Sequence, residues 1–185
     1  MTDGEKEAKL QELVKWENHF EWKYVADYYK PRLLLDFGCG YGFSDIYLAM
    51  AGFEVVGYDI DAERIEIARY IRDNQTESVR NKVQFYQSAI PVRDYALIWL
   101  SHTLEHIPME QWYSEFSLIW RSCKVDGVSI LVSVPWGDAY DMPEHVNHWL
   151  TNDELVECLQ KHTGLPWRAW TDTQNMVIKA QFGGE

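Results

Sequence analysis

The segment from Leu33 to Asp61, LLLDFGCGYGFSDIYLAMAGFEVVGYDID, leaves few folds open to the rest of the chain. Leu33 to Leu35 is an unbroken apolar run, as a strand buried on both faces requires. Gly38, Gly40 and Gly42 then leave a tight turn almost without side chains, so backbone can approach a ligand closely. From Phe43 the apolar residues Ile46, Tyr47 and Met50 recur at helical spacing. Gly52 closes that helix, and Phe53 to Tyr58 make a second buried strand ending in Asp59. The pattern predicts a βαβ unit. Its acid falls about 20 residues beyond the turn, where such a unit sets a carboxylate against ribose hydroxyls, so the expected ligand contains a nucleoside.

The turn is not a dinucleotide fingerprint. G-x-G-x-x-G would need glycine where Phe43 stands, and Asp36 precedes the run, which therefore reads D-x-G-x-G-x-G. With these residues the segment resembles motif I of the class I S-adenosylmethionine-dependent methyltransferases. That resemblance implies that the turn holds the amino acid part of S-adenosylmethionine. It also gives Asp36 a purpose, since a carboxylate receives an ammonium well and would repel a pyrophosphate. The resemblance carries cofactor contacts to Asp36, Gly38, Cys39, Gly40, Asp59, Ile60, Ser88, Ala89 and Leu100. It implies a Rossmann-like α/β fold: a seven-stranded, mostly parallel sheet with an antiparallel last strand, helices on both faces, and an N-terminal helix. Residues 1–31 would form the helical cap and 32–185 the core of a single domain.

Ahead of the central segment, Leu10, Leu13, Val14, Phe20, Tyr24, Val25 and Tyr28 approximate one apolar face of a helix from roughly Glu5 to Tyr29, which Pro31 ends. In the resembled family such a helix often closes over the ligand. After it, Asp61 caps a helix from Ala62 to about Asn74 with Ile65, Ala68 and Ile71 inward. The polar stretch Gln75 to Asn81 leads to a third strand, Val83 to Gln87. The family commonly ends that strand in an acid facing adenine, where this chain has Ser88 and Ala89. Only Ile90 to Ala96 precede a fourth strand, Leu97 to Leu100, which is too short for a crossover helix.

SHTLEHIP, Ser101 to Pro108, follows that strand and resembles the family's segment with a frequent LEH triplet. At the carboxyl end of a parallel strand it is expected to border a ligand crevice. A helix with Trp112, Phe116, Ile119, Trp120 and Cys123 on one face comes next, and Gly127 starts a fifth strand that Pro135 stops. The loop PWGDAYDMPEHVNHW, Pro135 to Trp149, again resembles small-molecule members of the family. Thr151 and Glu154 are spaced as a capping box for a helix to about His162, and two strands, about Trp167 to Asp172 and Asn175 to Phe182, complete the sheet.

Composition excludes several roles. A formal net charge of -12 argues against non-specific nucleic-acid binding, which rests on Lys and Arg displacing counterions. No apolar run is long enough to span a bilayer, and the N-terminus lacks a secretory pattern, so a cytoplasmic location is expected. Cys39, Cys123 and Cys158 share no metal or disulfide spacing, and no metal is expected; two histidines, His145 and His148, lack a clear third ligand. The resemblance implies an in-line displacement in which a small-molecule acceptor attacks the sulfonium methyl of the cofactor, with a histidine removing a proton where the acceptor must lose one. His102, after the fourth strand, and His145 and His148, in the loop after the fifth, are the candidates; His106 is expected to be structural. An RNA or protein methyltransferase and a non-catalytic interaction module are the alternatives. An NAD-dependent oxidoreductase ranks last, because Asp36 and Phe43 oppose it.

Overall fold

The computed structural model describes residues 2–123, 128–137, 142–149 and 151–183. Gly127 and residues 138–141 of the loop after the fifth strand lie outside that set. By internal packing the chain divides into two compact units, Met1–Ile90 and Pro91–Glu185.

In the first unit, α1 (Asp3–Glu12) starts with a complete Thr2/Glu5 capping box. The single N-terminal helix read from the sequence is in fact broken. A 3-10 turn, Leu13–Trp16, follows α1, and α2 (Phe20–Tyr28) begins afresh behind His19, whose extended backbone and Nδ1 atom cap it at the amide of Glu21. The ring of Trp16 stacks on His19 at 4.1 Å, and Trp22 Nε1 donates back to the Trp16 carbonyl at 2.7 Å, so aromatic contacts hold the break closed. The break also rotates the apolar face: Leu13 and Val25 are buried, whereas Val14 and Tyr28 point to solvent.

The βαβ unit follows as read. β1 (Leu33–Phe37) leads through the glycine turn into α3 (Phe43–Met50), and β2 (Glu54–Tyr58) runs parallel to β1 with Asp36 opposite Gly57 and Phe37 opposite Tyr58. Tyr47 on α3 donates to the Leu13 carbonyl and stacks on Trp22, anchoring the N-terminal helices to the unit. α4 (Ala62–Asp73) buries Ile65, Ala68 and Ile71, and its N-cap is Asp61, which accepts from the amides of Glu63 and Arg64. The polar stretch after it contains one short helix, α5 (Glu77–Arg80), not resolved by the sequence pattern. β3 (Val83–Tyr86) then pairs in parallel with β2.

In the second unit no helix precedes β4 (Leu97–Ser101), as its short connection requires. β4 is followed by a 3-10 turn at Leu104–His106 and then by α6 (Trp112–Ser122), which buries Trp112, Phe116 and Ile119. Trp120 is half-buried and Cys123 is the cap residue after the helix, so the apolar face is narrower than its aromatic content suggests. β5 (Ser129–Pro135) is buried along its whole length and pairs in parallel with β4. α7 (Asn152–Thr163) carries the Thr151/Glu154 capping box and ends at Gly164 in the left-handed region. β6 (Arg168–Asp172) and β7 (Val177–Phe182) close the chain, with β7 antiparallel to both β5 and β6. The strand order of the seven-stranded sheet is β3-β2-β1-β4-β5-β7-β6.

Candidate functional site

Two groups of polar residues stand out, one within each unit. The first surrounds the glycine turn. Gly38, Gly40 and Gly42 have φ of 88°, 56° and 71°, a backbone path that L side chains rarely follow. The amides of Gly38 and Cys39 donate to the Tyr58 carbonyl at 2.7 and 3.0 Å, pinning the turn to the end of β2. Asp59 completes the clamp: its Oδ2 accepts from the Gly40 amide and its Oδ1 from the Asp61 amide, both at 2.9 Å. A Cβ built on Gly40 would meet nothing within 4 Å among the described residues, which leave open space beside the turn.

The carboxylates around this turn are buried to an unusual degree. Glu21, Asp36, Asp45 and Asp59 are each less than a tenth exposed. Burial first, and then the charges of Asp45, Asp59 and Glu21, pushes the Asp36 carboxyl well above the usual carboxylate range. Asp45 is pushed up to about 7, again chiefly by burial. Among the described residues neither oxygen of Asp45 has a hydrogen-bond partner of ordinary geometry, so its tie to Asp36 is that of two carboxyls competing to hold a proton in a dry site. Burial and the same carboxylates raise the Cys39 thiol, which disfavours a thiolate and leaves Cys39 a packing residue. Asp45 was not singled out by the sequence reading, because it looks there like an ordinary polar residue in the first turn of a helix.

The remaining cofactor candidates of this unit sit at its strand ends. Ile60, just past β2, is 78% exposed, and Ser88 and Ala89 are exposed in the bend after β3. Such exposure leaves these side chains available for a planar ring, while Leu100 in the other unit is buried within β4.

The second group lies after β4. His102 has φ of 51°, uncommon for a residue other than glycine, and its amide donates to the Ser133 carbonyl at 2.9 Å. Its Nδ1 lies 3.1 Å from Oε1 of Glu105, which is fully buried. The loop bearing His145 and His148 is fastened to the same turn. The amides of Val146 and Asn147 donate to the Glu105 carbonyl at 2.8 and 3.2 Å, and Asn147 Nδ2 donates to the carbonyls of Leu104 and Ile107 at 2.8 and 2.7 Å. This places the ring of His145 4.9 Å from that of His106, while His148 is exposed with its ring 6.2 Å from His145. Partial burial keeps the His145 imidazole below its usual pKa, with Glu105 opposing that effect. Of the three catalytic candidates, then, His102 and His145 share the neighbourhood of Glu105, and His148 stands further out. Glu105, His106 and Asn147 were missed as a set, since the sequence does not show that residues some 40 positions apart are stapled together.

A methyltransferase-domain family profile matches residues 22–175. The chain belongs to the methyltransferase-domain family. Solved structures agree on the fold. The glycopeptide N-methyltransferase MtfA bound to S-adenosyl-L-homocysteine superposes with a TM-score of 0.71 at 11% identity, over 89% of this chain and 86% of that one. The DhpI complex with S-adenosylhomocysteine gives 0.65 at 16% identity with both chains fully covered. Human N-acetylserotonin methyltransferase bound to S-adenosylmethionine gives 0.69 at 17% identity, with 98% of this chain spanning 56% of that one. Among curated protein sequences, none matches. The fold is thus that of the class I methyltransferases, with the antiparallel β7 inserted between β5 and β6. Among the described residues no helix is long and apolar enough to cross a membrane.

Proposed function

We propose that this methyltransferase binds S-adenosylmethionine at the glycine turn of its first unit and methylates a small-molecule acceptor. The observation that carries the reading is the buried acid cluster against an open glycine turn. Asp36, Asp45 and Asp59 suit a ligand with positive charge at one end and a ribose at the other, and a phosphate would be repelled there. Gly38 and Gly40 let the backbone approach the amino acid portion, and Asp36 faces its ammonium. Asp59 keeps acceptor capacity on both oxygens after binding two amides, enough to receive ribose hydroxyls. Ile60, Ser88 and Ala89 flank the adenine, and Leu100 is carried over from the family pattern alone.

The bound cofactor supplies a sulfonium methyl ready to leave for a nucleophile. The work left to the protein is to hold the acceptor in line and, where the acceptor is an acid, to take its proton. His102, His145 and His148 are the groups offered for that proton. A small molecule fits better than RNA as acceptor, given the net charge of -12. It also agrees with N-acetylserotonin methylation by one of the structures that share the fold.

Calorimetric titration with S-adenosylmethionine and S-adenosylhomocysteine tests the cofactor site. Asp59→Ala removes a charged acceptor and also frees the Gly40 amide, so it is expected to weaken binding by roughly 1.5–3 kcal/mol, about 10- to 150-fold. Binding that is unchanged in the variant, or absent in the folded wild-type protein, would overturn the assignment. With binding established, transfer of labelled methyl to a metabolite fraction, against RNA and protein fractions, decides the acceptor class.

A further inference from the structure

We propose that Glu105, His106 and His145 form a binding site for a first-row divalent transition cation. One donor atom from each of the three lies within 4.8 Å of the others. Bonds of about 2.0–2.2 Å to one ion would bring such atoms to roughly 3.0–3.4 Å apart, which asks only for small side-chain rotations. His106 is exposed and His145 half-buried, so their rings have that freedom.

Three further features point to a cation. Glu105 is fully buried, and its Oε2 has no hydrogen-bond partner among the described residues, although Oε1 meets His102. A buried carboxylate oxygen without a donor is costly unless a positive charge completes it. The second feature is the tautomer that the structure imposes on His106. Its Nδ1 lies 3.3 Å from the Glu144 carbonyl, which can only accept, so Nδ1 carries the proton and Nε2 keeps the lone pair. That is how metal-bound imidazoles are usually oriented, with the other ring nitrogen donating to a carbonyl. The third is rigidity. Four hydrogen bonds from Val146 and Asn147 fix the His145 loop to the turn that carries Glu105 and His106. Asn147 acts here as a positioning residue.

One carboxylate and two imidazoles suit Zn²⁺ and its neighbours far better than Mg²⁺ or Ca²⁺, which prefer oxygen. Three protein ligands also leave positions open for water or an acceptor oxygen. That last consequence rests on the methyl-transfer reading, whereas binding of the ion does not. As a ligand, His145 would no longer serve as a base, and proton removal would fall to His102 or His148.

The test uses the full chain stripped with a chelator, then titrated with Zn²⁺ and Mg²⁺ by calorimetry and with Co²⁺ by visible absorption. One equivalent of Zn²⁺ is expected to bind with micromolar affinity or better, Mg²⁺ more weakly, and Co²⁺ to show ligand-field bands that Zn²⁺ displaces. His106→Gln and His145→Gln should each weaken Zn²⁺ by about 100-fold or more, and Asn147→Ala by about tenfold. Circular dichroism and S-adenosylmethionine binding report that the variants are folded. No saturable Zn²⁺ binding, or equal binding in both histidine variants, overturns the proposal. Cofactor binding by the stripped protein keeps the two readings apart, because it survives failure of the cation site.

Discussion

Gly42→Ala should destabilise the fold by about 2–5 kcal/mol, a large part of the roughly 5–15 kcal/mol available to a domain. Two costs add. Gly42 caps α3 at φ 71°, where a Cβ strains the backbone by about 1–2 kcal/mol. A Cβ there would also stand 2.4 Å from Cζ and 2.7 Å from Cε1 of Phe85, and 3.2 Å from Cβ of Ala68. The same edge of the Phe85 ring faces Gly57, where a Cβ would lie 2.6 Å from Cδ1 and 2.7 Å from Cε1. Two glycines from separate elements thus make the slot in which β3 docks its central aromatic. Gly40→Ala isolates the first cost, because φ is 56° but nothing lies within 4 Å of its Cβ. Urea denaturation should therefore rank wild type, Gly40→Ala and Gly42→Ala in falling order of midpoint. Adding Phe85→Leu to Gly42→Ala should recover much of the steric part and none of the backbone part. Equal midpoints for the two glycine variants would refute the slot.

The same slot shows what a sequence does and does not disclose. The βαβ unit was legible because strands buried on both faces must be continuously apolar, and because Gly38, Gly40 and Gly42 mark a turn that other residues cannot make. The N-terminal break was not legible. The face from Leu13 and Val14 resumes only at Phe20, with Glu17 and Asn18 between, but what stops the helix is His19 capping Glu21 and stacking on Trp16. Nor was the burial of Asp45 legible, since it arises from close approach to Gly57, where a Cβ would come within 2.9 Å of Asp45 Oδ1. Glu105, His106 and His145 illustrate a third limit. Both segments were recognisable as motifs, but the hydrogen bonds that bring them together, from Val146 and Asn147 to the turn and from His106 to Glu144, follow from no local pattern.

Binding of S-adenosylmethionine is expected to release a proton and to tighten roughly tenfold between pH 5.5 and 7. The folded carboxyl of Asp45 titrates at about 7 against a usual 3.8, so the folded protein holds a proton that the unfolded chain gives up across that window. Asp45 therefore lowers the stability of the ligand-free protein as pH rises from about 4 to 7, and Asp36, raised in the same direction, adds to that fall. A cationic ligand reverses the preference. Its ammonium, with an α-amino pKa of about 7.7–8.0, stays charged below pH 7 and favours the ionised carboxylate, so binding expels the proton. Asp45→Asn keeps the shape and removes its own titration. It should reduce the proton release and the pH dependence of affinity to what Asp36 alone supplies. At pH 7 it should also stabilise the ligand-free protein by up to about 2–4 kcal/mol, because a charge need no longer be held in a dry site. Calorimetry at pH 6.5 in two buffers of different ionisation enthalpy counts the proton directly. Identical heats in both buffers, with affinity level from pH 5.5 to 7, would mean that the ligand's charge lies elsewhere than against Asp36 and Asp45.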